Sequence, residues 1–283
     1  MFQMTQIDQR LFQFTDIAGT HCFLVVGDQK AALLDTGVGY GSLREQVGRV
    51  TELPVQVLIT HGHVDHAMGA GEFRDVWLNP LDEALYREHS DTEVRLGYIC
   101  DRTQDGRPSG AAEQLRPVKP FEQLHPLAVG DVFDLGGVTV EIHEGAGHTP
   151  GCVTMLIPEL RTLLLGDACN PFTFLFDKTC STVAEYREML LRLDQATRGR
   201  YDRVLLCHGP GCLAPVELLG NVVAVCDDIL SGNADNMPFG GRDVPFRGLD
   251  IESIFIAKAM DDSTFTRVDG GIGNVVYNRE RIR

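Results

Sequence analysis

The sequence predicts an α/β chain in which two β-rich halves, each flanked by helices, pack their sheets together under helical outer layers. Two observations carry that expectation. Short apolar runs closed by turn residues alternate with stretches of helical period, and the style of the first half returns in the second. In chain order, residues 10–15, 21–26 and 30–35 read as a three-strand meander ending in Asp35-Thr36-Gly37. Residues 41–50 suit a helix, 55–60 a buried strand, and 80–89 a helix with Pro80 in its first turn. Charge, Gly and Pro without a clear period make 91–120 a long connection or lid, the kind of loop that often borders a site. A hairpin is expected from 131–135 and 138–143 around Gly136-Gly137, and a second strand pair from 152–157 and 162–165. Tyr186, Met189, Leu190 and Leu193 recur at helical spacing over 182–195. A short strand at 204–207, a helix at 215–230 and a last hairpin from 265–268 and 275–277 complete the expected order.

At 283 residues, 43% hydrophobic and 23% charged, the chain can bury a large core, as one large domain or two modest ones. A formal net charge of -15, spread through the chain, argues against a nucleic-acid backbone or an anionic membrane surface as partner. The opening MFQMTQIDQR has no basic region followed by an apolar stretch, and no run of apolar residues is long enough to span a bilayer. A soluble, cytoplasmic protein is expected. Its eight cysteines form no CxxC pair and read as reduced, mostly buried thiols.

Chemistry concentrates after the strand at 55–60, where His61-Gly62-His63-Val64-Asp65-His66 puts four donors into six residues. In extended backbone His61 and His63 project to one side, while Asp65 and His66 can turn toward a neighbouring point, so the segment can serve two metals. Without a cation, such a buried run leaves polar groups short of partners, at about 1–3 kcal/mol each. Three further segments set a His or Asp in a tight turn beside a strand: Gly147-His148-Thr149-Pro150-Gly151, Leu165-Gly166-Asp167 and Cys207-His208-Gly209-Pro210-Gly211. Each is a weak signal alone; with the first cluster they form a set.

The order HGHVDH, GHTPG, LLGD and CHG, preceded by LLDTG at Leu33 to Gly37, resembles the metallo-β-lactamase superfamily over about residues 20–210. The resemblance implies a four-layer αββα sandwich, a single domain of that kind over 1–283, with a lid-like connection at about 91–120 and a C-terminal extension at about 215–283. It further implies that His61, His63 and His148 bind one metal, that Asp65, His66 and His208 bind the other, and that Asp167 bridges them. Asp35 matches a family carboxylate lying behind the ligands, where it orients a ligand without touching metal. Cys152, Cys169 and Cys207 neighbour ligands in sequence but are read as bystanders, and His89, His125 and His143 belong to no motif.

Five imidazoles and two carboxylates suit two divalent ions, Zn first, with Fe or Mn compatible. The expected function is metal-dependent hydrolysis in which a metal-bridging hydroxide, oriented by Asp65 as the catalytic residue, cleaves a small ester, thioester or lactone. The alternatives are a small-molecule phosphodiesterase and a non-catalytic metal-binding sensor or scaffold. A bridging Asp167 resembles the thioesterase, lactonase and phosphodiesterase branches more than the antibiotic-hydrolysing ones. The substrate is a small molecule, and homo-oligomerisation is left open. Phe172, Phe174 and Phe176, which follow Asp167 directly, are candidate pocket walls, as is His21; Arg95, Arg102, Arg107 and Arg116 of the lid could supply a cation for a substrate acid group.

Overall fold

Period-two alternation in the first half builds a sheet whose two faces serve different layers. Its strands are β1 (Gln3–Asp8), β2 (Leu11–Thr15), β3 (His21–Val26) and β4 (Ala31–Leu34), then, after helix α1 (Leu43–Gly48), β5 (Val55–Leu58). Helix α2 (Val64–Ala67) leads to β6 (Asp75–Leu78), and α3 (Glu83–His89), α4 (Thr92–Arg102) and α5 (Ala111–Gln114) precede the edge strand β7 (His125–Pro126). The seven strands lie side by side in chain order, antiparallel as far as β4 and parallel from there on. Parallel neighbours need crossovers, and the crossovers place helices on the outer face. In β4, Ala31 and Leu33 accordingly meet Leu43, Val47, Tyr86 and Ile99 of the helices, while Ala32 and Leu34 face the other way. The computed structural model describes residues 2–103, 110–239, 251–261, 263–264 and 266–283.

A second sheet comes from β8 (Val132–Asp134), β9 (Thr139–Glu144), β10 (Val153–Ile157) and β11 (Thr162–Leu164), and a third begins with β12 (Thr173–Leu175). Helix α6 (Val183–Thr197) starts at a capping box, Thr182 receiving the Glu185 N–H and Glu185 returning to the Thr182 backbone. Strands β13 (Arg203–Leu205) and β14 (Leu213–Ala214) close the second sheet in the order β14-β13-β11-β10-β9-β8. After α7 (Leu218–Ser231), β15 (Met237–Pro238), β16 (Ile254–Ile256) and β17 (Val275–Asn278) join β12 in a four-stranded sheet ordered β12-β17-β16-β15.

Between the two large sheets, Leu11, Phe23, Val25, Leu34 and Leu58 pack on Val140, Ile142, Val153, Met155 and Leu164. Each such side chain contributes about 1.5–3 kcal/mol by leaving water. On the far side, Leu156 and Leu163 meet Tyr186, Met189 and Leu190 of α6 and Val222 and Val225 of α7. The result is the four-layer αββα sandwich that the sequence resemblance implies.

Two sequence expectations are corrected. Residues 92–102 are helical instead of an irregular connection: Asp91 accepts the Glu93 and Val94 N–H groups to start α4, which docks through Leu96 and Ile99. Its apolar face is narrow and includes Arg95, which hid the period. Arg95 is only 3% exposed, and its guanidinium donates to the carbonyls of Val38, Gly39 and Arg116, so it braces the fold. Arg116 donates to Gly41 O, Arg102 lies 5.2 Å over the Tyr98 ring, and Arg107 falls outside the described residues. The second correction is the last hairpin. Of 265–268, Phe265 lies outside the described residues and Arg267 makes one bridge to Met260, while β17 pairs with β16 and runs parallel to β12. A buried run such as 275–277 is satisfied by any free strand edge, and β12 offers one. Among the described residues no helix is long and apolar enough to cross a membrane.

Candidate metal centre

The two large sheets are stitched together at one end. Val153 N–H donates to Thr60 O at 2.9 Å and His21 N–H to Cys207 O at 2.8 Å, which aligns the turn after β5 with the turns before β10 and after β13. Asp35, just past β4, has a left-handed backbone with φ 63°, a conformation Asp tolerates better than most residues. That kink turns its carboxylate between the sheets. Oδ1 accepts the Thr60 N–H at 2.7 Å, and Oδ2 accepts the Thr60 hydroxyl and the His66 Nδ1–H, both at 2.8 Å. Because the Thr60 proton goes to Asp35, its oxygen is left to receive the His61 Nδ1–H at 3.0 Å. One carboxylate thus orients two imidazoles and turns the Nε2 of each toward the cluster. His148 reaches the same state by donating Nδ1–H to the Phe174 carbonyl at 2.9 Å.

All seven side chains expected from the sequence meet here. His61, His63 and His148 bring their donor atoms within 4.8 Å of one another, and so do Asp65, His66 and His208. Asp167 lies between the two groups, its Oδ2 3.8 Å from His148 Nε2, 3.6 Å from His66 Nε2 and 3.3 Å from His208 Nε2. The His208 side chain, 31% exposed, marks the open side, whereas Asp65 and His66 are enclosed.

The donor set fits divalent cations. Bare Nε2 atoms of His61 and His148 both point at His63 Nδ1, 2.9 and 3.0 Å away, and a single ring proton cannot satisfy two such lone pairs well. Among the described residues, Asp167 Oδ1 is buried without a hydrogen-bond partner. Burial, then neighbouring imidazoles, push His61 and His63 well below the ordinary histidine range, which keeps them neutral donors. Around His66 the balance is opposite: burial opposes charge, but Asp65, Asp35 and Asp167 raise it well above that range. His208 is likewise raised, by Asp167 and Asp65 against burial. The carboxylates of Asp65 and Asp167 resist burial and are held well down by His66 and His208. Such mutual dependence is a demand for positive charge that a divalent ion meets on imidazole and carboxylate donors.

Several supporting groups had no signal in the sequence. Tyr98, on α4, donates its hydroxyl to Asp65 Oδ2 at 2.6 Å, and Thr20 adds a second donor to that oxygen at 3.2 Å. Asp16 receives the N–H groups of Ala18, Thr20 and Val38, and burial lifts its carboxyl to about 6 against those donors. His89 accepts the Val64 N–H at Nδ1 and stacks on His63 with centroids 5.1 Å apart. Asp82 accepts from Gly62, Thr149 and Gly151. An acid after Pro80 at a helix start reads as a cap, which concealed that link.

Of the suggested pocket residues, His21 has both ring nitrogens engaged, Nδ1 with Gln13 and Thr15 and Nε2 with Gly209 O. It braces the turn that carries His208. Phe172, Phe174 and Phe176 cluster with Phe239; Phe176 is 7% exposed, and Phe172 and Phe174 are half-buried. All eight cysteines are free thiols. Cys207 points its thiol at Asp35 Oδ2, 3.6 Å away and behind His66, and burial raises it far from thiolate formation.

The model of the Metallo-beta-lactamase superfamily matches residues 16–208. Among curated proteins, the chain is 26% identical over 216 residues to an acyl-coenzyme A thioesterase, MBLAC2, of Gallus gallus, covering 71% of this chain and 76% of that protein. It is 27% identical over 157 residues to the hydroxyacylglutathione hydrolase GloC of Haemophilus influenzae, covering 52% and 65%. A metallo-beta-lactamase from Pontibacter korlensis superimposes with a TM-score of 0.56 at 20% identity, over 79% of this chain and 98% of that one. At that identity the likeness speaks for the fold.

Proposed function

Because the chain belongs to the metallo-beta-lactamase superfamily and is a hydrolase, we propose that it cleaves a small acyl thioester at a centre of two divalent cations, with esters and lactones as slower substrates. His61, His63 and His148 would hold one cation, Asp65, His66 and His208 the other, with Asp167 shared. Zn suits these donors first, then Fe or Mn. Two of the relatives bear thioester-hydrolase names, which supports the choice of bond.

The observation that carries the reading is Phe174. Its carbonyl receives His148 Nδ1–H while its ring joins Phe172, Phe176 and Phe239, so a donor of the centre and an apolar surface share one residue of β12. We place the acyl group on those rings with its carbonyl toward the cluster. Bound cations supply Lewis acidity, acidifying water and polarising the carbonyl. The chain itself does the positioning. Asp65, gripped at Oδ2 by Tyr98 and Thr20, would orient the attacking water. A thiol leaving group, with an ordinary pKa near about 8.5, departs as thiolate without a dedicated acid. Eight free thiols fit a reducing compartment, the cytoplasm in this proposal.

The test is kcat/KM over acetyl, butyryl and benzoyl thioesters, acyl homoserine lactones and bis-p-nitrophenyl phosphate, after loading with Zn, Fe or Mn. Thioesters should lead; a lead for the diester or the lactones overturns the proposal. Phe172→Ala and Phe174→Ala should then shift preference toward short acyl groups by roughly tenfold or more, the scale of a lost apolar contact, with metal content unchanged. Phe176→Ala, being buried, should cost stability instead, about 3 kcal/mol or more.

A further inference from the structure

We propose that Asp82 is a positioning residue that assembles the three-histidine donor group, and that it governs affinity for that cation without governing the other. The inference rests on the two-cation reading above. Asp82 is 1% exposed and comes from neither ligand loop. Its Oδ2 accepts the Gly62 N–H and the Thr149 hydroxyl, each at 2.8 Å, and its Oδ1 accepts the Gly151 N–H at 2.7 Å. Gly62 lies between His61 and His63, and Thr149 follows His148, so a single carboxylate clamps the two turns that deliver all three imidazoles.

Three further observations point the same way. Asp82 stands at the N-cap of α3, yet its side chain makes no capping bond there, so helix initiation does not account for an acid at this place. It approaches both turns closely: a Cβ on Gly151 would lie 2.7 Å from Asp82 Cγ, too near for a side chain, and one on Gly62 would lie 3.1 Å from Asp82 Cβ, a tight fit. That accounts for glycine at the end of Gly147–Gly151 and favours it within His61-Gly62-His63. At the other end of α3, His89 receives the Val64 N–H and stacks on His63, so this helix grips the first ligand segment twice. The Asp82 carboxylate is spent on Gly62, Thr149 and Gly151, whereas His66 of the other donor group is held by Asp35.

A carboxylate can take all three donors, whereas an asparagine amide in its place offers one oxygen and turns an N–H toward a donor. The experiment is therefore Zn titration of Asp82→Asn by chelator competition, with stoichiometry by elemental analysis and folding checked by circular dichroism. One Zn should bind with parental affinity and the other about 10–100-fold more weakly, the range for lost support of metal ligands. Combined with His208→Ala, the substitution should leave no tight Zn; combined with His148→Ala, it should weaken binding no further. Should Asp82→Asn fail to fold, Thr149→Val removes only the hydroxyl donor and should weaken the same cation several-fold. Retention of both Zn ions at parental affinity, or equal weakening of both, overturns the role of Asp82. A parent protein that binds fewer than two Zn ions overturns the two-cation reading instead.

Discussion

The two donor groups are built from similar residues but draw their carboxylate support differently. His61, His63 and His148 form an all-imidazole set whose clamp, Asp82, holds the backbone and a hydroxyl of the ligand turns rather than an imidazole. The set of Asp65, His66 and His208 is mixed, and its supports act on the ligands themselves: Asp35 on His66 Nδ1, Tyr98 and Thr20 on Asp65 Oδ2. A carboxylate that bonds an imidazole sets its tautomer and raises its basicity, while one that bonds loop backbone sets only where the imidazole stands. The same side-chain type thus meets an imidazole directly in the mixed group and loop backbone in the other, where His61 is reached only through Thr60 and His148 is held by the Phe174 carbonyl.

The contrast can be broken most sharply at Asp65, which belongs to the mixed group and to which the proposal assigns the orienting of the attacking water. Asp65→Ala should reduce kcat/KM by about 10²–10⁴-fold, the scale of a group that directs proton movement, while unfolding occurs near the parental temperature. Activity within about threefold of the parent, under ~1 kcal/mol in barrier, would remove Asp65 from the chemistry. Next in size is Asp35→Asn, which disturbs His66 directly and His61 only through Thr60. Metal retention should fall about 10–100-fold, first at the cation of the mixed group, as read by chelator competition. Equal loss at both sites would erase the difference between the two supports. The smallest effect belongs to Tyr98→Phe, which removes one of two hydroxyl donors from Asp65 Oδ2. A loss of about 1 kcal/mol, or roughly fivefold in kcat/KM, is expected with both metals still bound; a parental rate would mean that Thr20 holds Asp65 unaided.

Legibility of the sequence followed the distance over which a signal acts. His61, His63, Asp65 and His66 crowd one strand end, and their density is visible within six residues. Strands such as β4 and β10 are buried on both faces and read as apolar runs. By contrast β1 is an edge strand exposed along most of its length, so no alternation marked it. Helix α4 buries an arginine among its few inward residues, which broke the period. Asp82 and Tyr98 reach the centre across the fold, Thr149 lying 67 residues from Asp82 and Asp65 33 residues from Tyr98, and nothing local announces such partners.

The stitching of the sheets by Val153 to Thr60 and His21 to Cys207 also bears on how the chain folds. These bonds, like the His66–His208 approach across 142 residues, join distant parts of the chain and carry a high loop-closure cost. Neither half holds a full donor group alone, since His148 must come to His61 and His208 to Asp65. The centre therefore exists only once the halves have docked, and any cation it binds favours the docked chain over its separate parts by mass action.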